Sequence, residues 1–198
     1  MTSSLAQRCE QIDALLPQTQ CRQCGFEGCS AYAGAIARGE APINRCAAGG
    51  QAGIRKLAAL TGLPEIPLDP EYGDEKPFAV ARIRPEECIG CRRCIRVCPS
   101  DAIIGAPRRL HAVLRDACTG CSLCQSACPL ACIDMVETGD AWTPEKAAAA
   151  RMRQSRRMLR LAREETEKEE RYRALGQGDE ERKKAAIAAI LGLVKNPH

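Results

Sequence analysis

Two segments of this chain, CIGCRRCIRVCP (88–99) and CTGCSLCQSACP (118–129), each spell C-x2-C-x2-C-x3-C-P, and the second begins 30 residues after the first. A tetrahedral zinc site is complete with four ligands, often supplied as two separated C-x2-C pairs. Three cysteines spaced two apart, then a fourth before proline, form instead the bacterial ferredoxin run, whose fourth cysteine ligates the other cluster. The spacing therefore predicts one [4Fe–4S] site made by Cys88, Cys91, Cys94 and Cys128, and a second made by Cys98, Cys118, Cys121 and Cys124. A chain built around two such sites moves electrons.

Composition fits a fold that leans on metal rather than on a large apolar core. Aromatic residues are only 3% of the 198, and all 14 cysteines fall between Cys9 and Cys132. Such density could also mean a disulfide scaffold in a secreted domain. The N-terminal MTSSLAQRC is too short and polar for a secretory signal, so a reducing cytoplasm that keeps thiolates available is favoured. The longest apolar stretch, AAIAAILGLV (185–194), has ten residues, well short of the 18 or so that a membrane span needs.

The pattern along the chain predicts an α+β protein in four parts. Residues 1–63 read as a helical module: a Ser4–Gln7 capping box, Leu5, Cys9, Ile12 and Leu16 at helical spacing, and Pro17 as a stop. Further helices are expected at about 29–38, ended by Gly39, and at about 51–61, ended by Gly62. Residues 64–78, with four prolines, read as an extended linker. Residues 79–143 form the 2[4Fe–4S] ferredoxin-like domain, with two short strands around Gly105-Ala106-Pro107 and matching repeat ends CPSDAI and CPLACI. Residues 144–198 read as a charged helical tail, divided in two by Gly176-Gln-Gly-Asp179.

A third set, Cys21, Cys24, Cys29 and Cys46, is spaced C-x2-C-x4-C-x16-C. Four thiolates can hold zinc or an iron–sulfur cluster, so this spacing is less specific than the ferredoxin runs. A cluster is favoured because two others stand nearby in the chain.

The segments EQIDALLPQTQC (10–21), Gln23-Cys24-Gly25, Gly28-Cys29 and Ile43-Asn44-x-Cys46, with the double ferredoxin run after them, resemble the RnfB family over about residues 8–143. Members of that family are subunits of Rnf-type electron transport complexes. The resemblance implies that Cys21, Cys24, Cys29 and Cys46 hold a third [4Fe–4S] cluster. It also implies other Rnf-type subunits as partners, in a complex that couples electron transfer between ferredoxin and nicotinamide pools to ion movement across the inner membrane. Members of the family carry a membrane-anchoring helix before the EQIDALLPQTQC-like segment. Only nine residues stand there in this sequence, so the resemblance implies a short form without that anchor. A stand-alone polyferredoxin serving cytoplasmic oxidoreductases is the alternative, and a zinc-stabilised interaction or nucleic-acid-binding protein the more distant one.

Several residues invite a functional role that packing explains as well. Cys9 lies on the apolar stripe of the first helix, and Cys132 falls where the first repeat has Ala102; both read as small buried side chains. His111 lacks a partnered acid or nucleophile in the local sequence and reads as a packing or surface residue, as does the terminal His198. GGQAG (49–53) lacks the preceding strand of a dinucleotide fingerprint. No catalytic acid, base or nucleophile is expected. Arg92, Arg93 and Arg96 stand among the first-run ligands where the second run has Ser122, Leu123 and Ser126, and positive charge favours the reduced state. The site of Cys88, Cys91 and Cys94 should therefore have the higher potential.

Residues 145–198 carry 14 Lys and Arg against nine Asp and Glu. Within them, RMRQSRRMLRLAR (151–163) has six arginines and no acid. Beside these, Ala148, Met152, Ser155, Leu159 and Ala162 form a weak apolar stripe, with a second at Ile187, Ile190, Leu191 and Val194. Such a helix suits a solvated surface, an acidic redox partner or peripheral contact with an anionic membrane face. Nucleic acid is not expected, because basic charge alone is non-specific.

Overall fold

The computed structural model describes residues 4–195, so the expectation for His198 falls outside the described residues. The chain divides into a compact unit of residues 1–155 and a second unit of residues 156–198. The first unit contains two cores.

The first core belongs to three helices: α1 (Leu5–Leu15), α2 (Cys29–Ala37) and α3 (Gly50–Thr61). Ser4 caps α1 by accepting from the Gln7 amide, while the Gln7 side chain accepts from the Ser4 amide. Two orphan amides of the first turn are thereby satisfied. Ile12 and Leu16 are buried, but Leu5 at the start of the expected stripe is exposed. In α2 the small residues Ala33, Ala35 and Ala37 bury almost the whole helix and let Tyr32 and Ile36 pack against Ile12, Ile54 and Leu57. Gly62 closes α3 in the left-handed conformation, as the sequence suggests.

The Pro-rich 64–78 segment is extended except for a single 3-10 turn at Pro70–Tyr72, and it is fastened to this helical module. Asn44 donates to the Pro67 carbonyl, the Gln51 side chain bridges to Glu65 and the Leu68 amide, and Ile66 and Leu68 pack on the helical core.

The second core lies between two pseudo-equivalent halves. The antiparallel pair β1 (Ala79–Ile83) and β4 (Ile133–Glu137) joins the ends of the ferredoxin region. The smaller pair β2 (Ile103–Ile104) and β3 (Ala112–Val113) joins its middle. Between them sit the short helices α4 (Arg93–Val97) and α5 (Leu123–Ala127), one in each cysteine run. The buried residues here are Ala81, Cys94, Cys98, Ala102, Ile103, Ala117, Cys124, Cys132 and Ile133. Cysteines and alanines fill seven of these nine places, so sulfur takes the volume that large aliphatic side chains fill elsewhere.

The 30-residue repeat is visible in the backbone. Gly90 and Gly120, Arg92 and Ser122, and Asp101 and Ala131 all have positive φ, each pair 30 positions apart. Left-handed conformation costs a non-glycine residue about 1–2 kcal/mol, which here is tolerated to turn the chain tightly around each site. At the first pair glycine is also required by space. An added Cβ on Gly90 would stand 2.5 Å from Arg109 N, and one on Gly120 would stand 2.6 Å from the Ala79 carbonyl oxygen.

Aromatic contacts join the two cores. The Trp142 indole donates to the Pro17 carbonyl at 2.8 Å, and its ring lies 4.9 Å from that of Phe78. Asp13 of α1 pairs with Arg151 at 2.7 Å.

One expectation is corrected. The tail does not break at Gly176–Asp179: α6 runs unbroken over Pro144–Lys195. A helix-interior glycine costs about 1 kcal/mol relative to alanine, too little to interrupt a run with strong helix formers on both sides. Within residues 156–198, ion pairs such as Arg160–Glu164 and Lys168–Glu165 line the surface, and Leu159, Tyr172, Leu175 and Ile187 are exposed. The stripe's other members, Ile190, Leu191 and Val194, have side chains outside the described residues.

The glycine pair yields a prediction. Gly90→Ala and Gly120→Ala should each destabilise the protein by about 2 kcal/mol or more, because strain and backbone collision add. Gly53→Ala, in α3 with open space around it, should be neutral or stabilising by about 0.5–1 kcal/mol. Anaerobic thermal unfolding of the three variants separates these outcomes.

Candidate metal centres

The structure gathers the 12 cysteines of the expected sets around three cavities. Cys88, Cys91, Cys94 and Cys128 line the first. Cys98, Cys118, Cys121 and Cys124 line the second. Cys21, Cys24, Cys29 and Cys46 line the third. In the first two cavities the fourth of these cysteines comes from the opposite run. None of the fourteen cysteines is in a disulfide.

The local chain explains how each set converges. In Cys21-Arg-Gln-Cys24, Cys91-Arg-Arg-Cys94 and Cys121-Ser-Leu-Cys124, the residue after the leading cysteine is left-handed, with φ between 58° and 64°. That turn folds the two thiols toward the same side. Alternating handedness of this kind also turns successive amides inward as an anion-binding concavity. The sulfurs receive direct donors as well: the Ala102 amide to Cys98 Sγ at 3.2 Å and the Ala81 amide to Cys118 Sγ at 3.4 Å.

Around the N-terminal cavity a buried polar string sets the geometry. Gln18 donates to the Asp13 carbonyl, Gln20 donates to Gln18, and Gln20 Oε1 accepts from the Cys29 amide at 3.0 Å. Arg22 lines this cavity, and the charge of Arg45 acts on Cys24. Arg45 itself stacks 4.8 Å from the Tyr72 ring.

The protonation energetics suit metal rather than free thiolate. Burial pushes the Cys29 and Cys124 thiols up to about 12 and Cys121 up to about 11. Cys46 is driven higher still, by burial and then by neighbouring Cys29. Without metal these groups stay neutral, so loading must displace their protons.

Each donor set is four thiols, which suits a [4Fe–4S] cluster and is also a set that zinc accepts. The thiols face a common space, with apolar neighbours such as Leu16, Ala47, Ala81, Ile83 and Ile133 around it.

Two features escape the sequence pattern. His111 is buried and its Nδ1 stands 3.3 Å from Cys94 Sγ. In the tautomer with its hydrogen on Nδ1 the ring donates to that sulfur; Nε2 is buried without a partner among the described residues. Residue 111 lies far from Cys94 in sequence, and only the β2–β3 turn brings them together. The second feature is the buried bond from Thr119 Oγ1 to the Thr19 carbonyl at 2.9 Å. It ties the loop between Cys118 and Cys121 to the segment just before Cys21.

Fold and sites together define an iron–sulfur protein with a ferredoxin-like dicluster domain. A family model described as a 4Fe-4S dicluster domain matches residues 81–135, and another, described as "Putative Fe-S cluster", matches residues 16–48. The chain is 59% identical over 130 residues to the RnfB subunit of the ion-translocating oxidoreductase complex of Stutzerimonas stutzeri, covering 66% of this chain and 67% of that one. It is 55% identical over 143 residues to the same subunit of Ectopseudomonas mendocina, covering 71% and 74%. With the subunit of Thiobacillus denitrificans the identity is 56% over 107 residues, 54% of this chain. That match spans 57% of the relative's own length, little more than half of it. No solved structure matches the chain. The chain belongs to the RnfB family of ion-translocating oxidoreductase complex subunits.

Hydrogen bonds to sulfur raise a cluster's potential by stabilising its more negative state. His111→Leu should therefore lower the potential of the centre at Cys88, Cys91, Cys94 and Cys128 while leaving the others in place. Redox titration followed by EPR reads this; an unchanged potential would mean that His111 only packs.

Proposed function

We propose that this chain is an electron-transfer subunit carrying three [4Fe–4S] clusters, one at each four-cysteine cavity. The observation that carries the reading is that three complete four-thiol sets each line one cavity. A bound [4Fe–4S] cluster supplies reversible one-electron chemistry. The protein's part is to hold, order and shield. Cys98, Cys118, Cys121 and Cys124 form the middle station. Cys94 and Cys124 share one core, and Thr119 reaches across to Thr19 beside the Cys21 set. The Cys88 set and the Cys21 set are then the two ends at which electrons enter or leave. No acid, base or nucleophile of the chain takes a step.

The names of the relatives put them in an ion-translocating oxidoreductase complex. We infer that this chain also works beside other Rnf-type subunits, relaying electrons whose transfer drives ion movement. Among the described residues no helix is long and apolar enough to cross a membrane. Contact with the cytoplasmic face of the inner membrane or with an acidic partner falls to the arginine-rich 151–163 stretch of α6, where Met152, Met158 and Leu159 are exposed.

Anaerobic reconstitution should give about 12 iron atoms per chain, four for each site. Cys24→Ser should lose about four of them and one of three EPR signals, leaving the ferredoxin pair intact. Zinc without iron in the reconstituted protein would end the cluster reading.

Arg92 and Arg93 are exposed beside the Cys88 set. Replacing both with serine, as at Ser122 of the second run, should lower that centre's potential, and the shift should shrink at high salt. A potential identical to wild type would show the arginines to be fully screened.

A further inference from the structure

Cys132 belongs to none of the three sets, yet it lines the cavity of Cys88, Cys91, Cys94 and Cys128. Its side chain is 3% exposed, and its Sγ stands 3.4 Å from Cys128 Sγ. The first cavity therefore has five thiols where the other two have four. We propose that Cys132 is a reserve ligand of this site, able to take the place of Cys128 when Cys128 is lost as a ligand. The inference rests on the cluster reading above and deepens it.

The pseudo-symmetry of the fold supplies an internal comparison. Cys98-Pro-Ser-Asp-Ala102 and Cys128-Pro-Leu-Ala-Cys132 are the same turn in the two repeats, with a left-handed residue at Asp101 and at Ala131. In the first, the Ala102 amide donates to Cys98 Sγ at 3.2 Å; in the second, Cys132 Sγ itself stands 3.4 Å from Cys128 Sγ. Ala102 is buried and fills its position without a heteroatom, so packing at this corner does not call for sulfur. The second turn carries a thiol at the same corner.

The backbone that presents this thiol is fixed. The Cys132 carbonyl accepts from the Arg84 amide at 2.9 Å, and the Arg84 guanidinium donates to the Ala131 carbonyl at 2.8 Å. Arg84 is in turn held by Glu87 and Asp134. Ligand exchange then needs only a side-chain rotation of Cys132 within the cavity. The Cys132 thiol gives up its proton as it binds, and no oxidant or reductant takes part.

The test compares iron content and EPR of full-length protein reconstituted anaerobically. Wild type and Cys132→Ala should both hold about 12 iron atoms per chain. Cys128→Ala should also keep about 12, whereas Cys128→Ala/Cys132→Ala and Cys98→Ala should each lose about four or more. Iron loss in Cys128→Ala equal to that in Cys98→Ala overturns the inference. So does full iron retention in the double variant, because another group must then be the ligand. Wild type without iron defeats the cluster reading itself, which is a separate failure. If Cys128→Ala does not fold, the mirror variant decides: Ala102→Cys added to Cys98→Ala should regain about four iron atoms, and no regain overturns the proposal.

Discussion

Thiol convergence on three enclosed spaces is the constraint from which the rest of this fold follows. In the ferredoxin half the buried side chains are chiefly cysteine and alanine, arranged around two cavities. Few large apolar groups remain to drive folding there, so metal–sulfur bonds must supply much of the stability. In small metal domains binding free energy is folding free energy. Burial raises the thiols of Cys24, Cys29, Cys46, Cys94, Cys121 and Cys124, which links acquisition of the inorganic part to release of their protons and to closure of the chain around it. The left-handed residues Arg22, Arg92 and Ser122 serve the same end, since each accepts local strain to bring a C-x-x-C pair onto one side.

A second consequence is the way the two cores are joined. Neither the three-helix core nor the ferredoxin core is large, and they share the Thr119–Thr19 bond, the Trp142–Pro17 bond and the Asp13–Arg151 ion pair. Rigid connection matters for a relay, because electron transfer is sensitive to separation. The tie at Thr119 lies between two thiols of the middle set and ends two residues before the first thiol of the N-terminal set. The 64–78 segment, fastened along α3 and its neighbours, contributes to the same rigidity.

Much of this is legible in the sequence, for identifiable reasons. Cysteine spacing is a local pattern, and so are the Ser4–Gln7 cap, the glycine stops at Gly39 and Gly62, and the β2–β3 turn at Gly105–Pro107. The crossing of Cys98 and Cys128 between runs follows from a spacing rule rather than from any visible contact. What stays hidden depends on distant pairing or on a balance of small energies. The β1–β4 ladder joins Ala79 to Glu137, and His111 reaches Cys94 only through the β2–β3 turn. The Gly176–Asp179 segment resembles a break because glycine disfavours helix, but long flanking runs of Ala, Glu, Lys and Arg outweigh two glycines. Cys132 is buried, as its place in the repeat predicts; that it faces a site already supplied with four thiols is visible only in three dimensions.

The central claim is that three four-cysteine sets each enclose one iron–sulfur cluster, with Cys98 and Cys128 exchanged between the ferredoxin runs. Anomalous diffraction at the iron edge from anaerobically grown crystals tests it most directly. The account requires three compact iron peaks, one in each cavity, with Cys128 Sγ bound at the Cys88 set and Cys98 Sγ at the Cys118 set. Iron at only two positions, a single zinc ion in any cavity, or Cys98 and Cys128 each bound within its own run would contradict it.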